Sequence, residues 1–132
     1  MRTTKIIGLM LSALAVLYLA ACQTQRPTDS AVGDPPRDYE QSAQNAIMEL
    51  PLFKAHPKMA QYLRCGQPVP AYQTNSPLTG GKVVWKGYMV EINYSVTNVF
   101  GASHVGIWHV LYDGDNVHSV IGDDVEAGVH LL

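Results

Sequence analysis

Histidine, cysteine and serine are the side chains here with the chemistry to act, and His109 and His118 make the strongest pair. Threading a hairpin about Gly114-Asp115 puts the two histidines diagonally on one sheet face, with Asp113 at its end. Two imidazoles and a carboxylate can hold a transition metal, so a His-dependent metal-binding or hydrolytic domain is the alternative reading. Against it, four of the five histidines fall between Lys82 and His130, a strand-rich block where partial exposure explains them, and no HxH or HExxH spacing occurs. Ser95, Ser103 and Ser119 lack a nucleophile-elbow context, Cys65 has no base beside it in sequence, and Gly80-Gly81 reads as a turn, not a phosphate cradle. Enzyme activity and a cofactor are therefore not expected.

Cys22 stands in a different context. Arg2 and Lys5 precede an apolar run from Ile6 to Leu19, and Ala20-Ala21 supply the small residues of a cleavage site immediately before it. The run is shorter than the about 20 residues a spanning helix needs. Leu19-Ala20-Ala21-Cys22 resembles the lipobox of bacterial lipoproteins. The resemblance covers residues 1–22 only; it implies a signal peptide at 1–21 and lipidation of Cys22, with two or three acyl chains anchoring stably where one would not. It also implies, through Gln23 in place of a retaining aspartate, an outer-membrane location facing the periplasm.

Removing residues 1–21 from the 132 leaves 111, enough for one small domain. Losing Arg2 and Lys5 leaves seven Lys and Arg against eleven Asp and Glu, a formal charge of −4 that makes nucleic acid a poor partner. Cys65 then has no intramolecular partner, and reads as a small buried apolar side chain. Residues 22–37 are polar and Pro-rich and cannot bury enough apolar surface to offset ordering, so they read as a lipidated cysteine and a flexible tether, its about 15 residues spanning about 20 Å as a coil.

The elements that must position these residues follow in residues 38–132. Asp38 reads as the cap of a helix from Glu40 to Leu50, with Ala43, Ile47 and Leu50 on one stripe and Pro51 as its stop. Pro57 to Cys65 reads as a second helix with Met59, Tyr62 and Leu63 inward, and Gln67 to Gly81 as a loop. Between Lys82 and Asn98 the period changes to two: Tyr88, Val90, Ile92, Tyr94 and Val96 alternate with polar residues, a half-buried strand. His104 to Tyr112 and Val117 to Ile121 read as two more, joined by Asp113-Gly114-Asp115-Asn116. The last segment, 122–132, is unassigned. The expected architecture is α+β: two short helices packed on an antiparallel three-stranded sheet, a topology that looks like that of small lipoproteins of the outer-membrane assembly machinery.

The threaded hairpin puts Trp108, Val110, Tyr112, Val117 and Ile121 on one face and Ile107, His109, Leu111, His118 and Val120 on the other. Both are apolar, where a sheet with one wet face should alternate cleanly. Ile107, Leu111 and Val120 are thus a candidate partner-binding patch. Charge is also divided. Leu50 to Val90 holds five cations and no acid, and Glu91 to Leu132 six acids and no Lys or Arg, so the second-helix side is suited to an acidic partner or anionic lipid. The reading is a membrane-anchored lipoprotein with a small periplasmic binding domain, a structural or assembly accessory of the envelope, contacting an envelope protein or a second copy of itself.

Overall fold

The computed structural model describes residues 32–122 and 128–132. The signal segment, Cys22 and most of the expected tether lie outside them.

One long strand organises the domain. β3 (Val83–Thr97) contains the alternation of Val90 to Val96 and runs on toward the N-terminus, where the buried residues, Trp85 and Gly87, fall in the opposite phase. β4 (Ser103–Asp113) runs back along it in unbroken register from Thr97 opposite Ser103 to Tyr88 opposite Tyr112. A two-residue turn at Gly114-Asp115, with Gly114 at φ 61°, leads into β5 (Asn116–Gly122).

The sheet has six strands, not three. Along the other edge of β3 two short strands lie end to end: β1 (Ala60–Cys65) beside Ile92 to Val96, and β2 (Val69–Thr74) beside Val83 to Met89. β6 (Val129–Leu131) adds to β2, giving the order β5-β4-β3-β2-β6 with every pairing antiparallel. The expected helix at Pro57 to Cys65 is a single 3-10 turn, Pro57–Met59, followed by β1. A nine-residue helix is marginal by itself, and β3 offers a row of unpaired backbone groups that β1 satisfies. A bulge between Tyr62 and Arg64 keeps Tyr62 inward against Tyr94, ring centroids 5.8 Å apart, and turns Leu63 outward. The expected loop hides β2 because it contains Pro70. Proline is tolerated there because position 70 faces the end of β6, where the Leu132 N–H donates to the Pro70 carbonyl.

Two helices pack on one face. α1 (Tyr39–Met48) buries Ala43 and Ile47, four residues apart. Asp38 makes no side-chain cap; it sits at φ 50°, and its carbonyl accepts from Ser42 N–H. The tie to the sheet comes from Tyr112, whose hydroxyl donates to the Tyr39 carbonyl at 2.9 Å and lies 2.7 Å from Ser42 Oγ. Pro51 opens a second short helix, α2 (Pro51–Ala55), as a first-turn proline does. From it Phe53 reaches the sheet edge-on to Trp108 at 5.4 Å. This helix face is the main core: Ala43, Ile47 and Phe53 over Val90, Ile92, Tyr94, Val96, Val110 and Tyr112. Gly106, opposite Tyr94, lies where a Cβ would run into the Trp108 ring, so glycine there lets the indole lie over the strand.

Chain anchoring begins before the expected boundary at Arg37. The Gly33 carbonyl accepts from Tyr88 Oη at 2.9 Å, Pro36 is buried, and Arg37 holds Asp115 through its backbone N–H and its guanidinium, both at 2.8 Å. Among the described residues no helix is long and apolar enough to cross a membrane.

Candidate partner-binding face

The face of the sheet away from the helices divides into two halves. In the half farther from the Asn98–Ala102 turn, Trp85 lies across the strands and closes a second, smaller core over Ala71 and Leu111, with Met89, Ile121 and Val129 around them. Its ring stacks on the His118 imidazole, centroids 6.1 Å apart and planes 19° from parallel. Gly87 makes room for it, since a Cβ there would press on the indole at 2.9 Å. The indole Nε1 is buried with no hydrogen-bond partner, so packing rather than polar contact holds the ring.

In the half nearer that turn, no described element lies over the sheet. Arg64 on β1, Glu91 on β3 and His109 on β4 form a row across three strands, with Arg64 to Glu91 at 3.5 Å and His109 to Glu91 at 3.9 Å. All three are partly or largely exposed, so the row adds little stability. Val105 is 60% exposed, Ile107 is half-buried, and Asn93 Oδ1 is buried without a partner.

The three residues of the expected patch do not stand together. Residue 118 is an extra residue on β5: Tyr112 pairs with Val117 as threaded, but Leu111 then pairs with Ser119 and Val110 with Val120. This bulge exchanges the faces of the residues beyond it. Val120 joins the helix-face core and Ile121 the Trp85 cluster. Leu111 is on the far face but fully buried, and Ile107 alone of the three stays within reach of solvent there. The same bulge parts the histidines, His109 going beside Glu91 and His118 onto Trp85. Among the described residues no group of three or more His, Cys, Asp or Glu is placed to hold a metal.

Burial raises the Tyr94 and Tyr112 hydroxyls of the helix-side core above their ordinary range. Burial, then Glu40, pushes the thiol of the half-buried Cys65 up to about 11, which favours the protonated form at neutral pH. Tyr62 is pushed up to about 12 by the hydrogen bond its hydroxyl donates to Glu40 at 2.6 Å. Sequence reasoning missed Trp85 and Arg64. Trp85 had a signal, as an aromatic in the opposite phase of β3 from Tyr88. Arg64 had none while its segment read as helix.

No family model, curated protein or solved structure compared with this chain matches it.

Proposed function

We propose that the chain is an envelope lipoprotein whose small domain works by binding. Acyl chains on Cys22 hold it to the outer membrane, the domain faces the periplasm, and the uncovered half of the far face meets an envelope protein, or a second copy, in a structural or assembly role. The anchor rests on the basic start, the apolar run and Leu19-Ala20-Ala21-Cys22, and the location on Gln23. The binding role rests on one observation: half of a sheet face carries Val105 and Ile107 beside the Arg64–Glu91–His109 row, with no described element over it. Exposed apolar side chains beside a charged row are the make-up of a contact surface. A metal-dependent role draws no support from a fold that gives His109 and His118 different neighbours.

Two measurements test this. Cys22→Ser should abolish labelling by an acyl precursor, and unchanged labelling would remove the anchor. A photo-crosslinking residue at Val105 should capture a discrete partner in cells while one at Gln41, exposed on α1, does not. Equal capture from both positions would remove the far face as the binding surface.

A further inference from the structure

We propose that the Asn98–Ala102 turn between β3 and β4 is a membrane-contact tip that places Val99 and Phe100 in the interface of a bilayer bearing anionic headgroups. This site is separate from the far face.

The first ground is exposure: Val99 is 87% and Phe100 91% exposed, side by side at the end of the longest hairpin. The second is hydrogen bonding. Asn98 Oδ1 accepts from the Phe100 and Ala102 amides at 3.0 Å each, the Gly101 amide donates to the Asn98 carbonyl at 3.1 Å, and Asn98 N–H donates to the Ala102 carbonyl at 2.9 Å. Backbone donors satisfied inside the turn remove much of the cost of taking it out of water. Gly101, at φ 80°, makes this closed geometry accessible. The tip is thus apolar at its side chains, with the Asn98, Phe100, Gly101 and Ala102 amides paired within it.

The third ground is charge. Between Glu91 and Asp113 the hairpin carries no Lys, Arg, Asp or Glu. Beside the tip the exposed Lys58 sits in the Pro57–Met59 turn that leads into β1 at Ala60, which pairs with Val96, two residues before Asn98. The acids Asp113 and Asp115 stand at the other end of β4. A cation flanking two inserted apolar side chains suits an anionic interface. The footprint decides between a bilayer and a protein. Two side chains fall far short of the about 800 Å² per partner of a stable protein interface, whereas a bilayer needs no complementary shape. The reach fits as well: nine residues, 23–31, separate Cys22 from the first described residue. Stretched, they cover about 30–35 Å, close to the about 30 Å of strand from Tyr88, where the chain docks, to Thr97.

The test uses the full chain in vesicles whose acyl chains carry bromine, a short-range tryptophan quencher. Phe100→Trp is compared with the unmodified chain, whose Trp85 and Trp108 supply the background, in phosphatidylcholine and in phosphatidylcholine with phosphatidylglycerol. The expected result is loss of the greater part of the added emission, with a blue shift, in the anionic vesicles and less in the neutral ones. Emission that stays water-like and open to acrylamide in both would overturn the proposal. Emission shielded from acrylamide yet untouched by bromine would overturn it in favour of a protein contact, and equal quenching in both vesicles would overturn the anionic requirement. Val99→Trp repeats the reading should Phe100→Trp misfold.

Discussion

On the helix face, α1 and α2 lay Ala43, Ile47 and Phe53 over Val90, Ile92, Tyr94 and Tyr112, whereas on the far face Trp85 bridges β3 to β5 and closes over Ala71 and Leu111. The two covers differ in extent. Helices follow β3 to Val96, but one indole spans only the half of the far face near His118 and leaves Glu91, Asn93 and Ser95 without a described element above them. One sheet thus has a closed side and a half-closed side, and a quarter of its surface has no described element over it.

The largest effect expected is at Leu111, where the far face is closed. Leu111→Glu puts a carboxylate under Trp85, in a cluster built from Ala71, Met89, Ile121 and Val129. An unpaired buried charge costs several kcal/mol, a large share of the about 5–15 kcal/mol a domain has. Circular dichroism should show lost structure. A folded Leu111→Glu protein would mean that Trp85 lifts easily and that the whole far face is open.

Next in size is Ile92, fully buried on the helix face opposite Trp108. Ile92→Ala should cost about 2–4 kcal/mol in a denaturant melt. A cost under about 1 kcal/mol would place the main core elsewhere.

These two residues also mark what was legible in the sequence. The phase of β3 was legible because Val90 to Val96 alternates without a break, and the hairpin turn because Gly114 can take a positive φ. The face of Leu111 was legible for the same reason, but not its burial, since the cover comes from Trp85 some 26 positions earlier. The bulge at His118 was illegible. Val-His-Ser-Val-Ile offers apolar residues in either phase, and packing of Val120 under the helices and Ile121 beside Trp85 chooses between them. β1 and β2 were hidden by helical spacing in one and Pro70 in the other, because both are strands by virtue of the β3 edge they pair with.

A smaller effect concerns the strap that extends the helix-face cover, Gly33 on Tyr88 and Arg37 on Asp115. The hydrogen bonds of the Arg37 side chain and then its backbone N–H hold the Asp115 carboxyl below its ordinary value of 3.8. A lowered folded-state pKa means the contact is fully present above the ordinary carboxylate range and is lost as pH falls through the lowered value. Both partners are exposed, so global stability should barely move. Asp115→Asn should lower the protection of the Arg37 amide against hydrogen exchange at neutral pH, and acid should lower it in the unmodified chain, each measured against the intrinsic rate at the same pH. An Arg37 amide indifferent to both would show the strap held by Tyr88 and Pro36 alone.

The smallest effect belongs to the open quarter. Ser95 is three residues from Ile92 on the opposite face, between Gln61 and Val105, and half-exposed. Ser95→Ala removes a hydroxyl that water can solvate and leaves the backbone ladder untouched, so the change in stability should stay within about 0.5 kcal/mol. Denaturant midpoints at an unchanged slope would measure it. If Ser95→Ala instead costs as much as Ile92→Ala, the hydroxyl is buried in solution against something absent from the isolated domain, and the contrast between the faces holds only for a single copy. Repeating the melt over a range of concentrations then separates the two cases: a midpoint that rises with concentration makes that cover a second copy, and a constant midpoint with a large cost breaks the comparison outright.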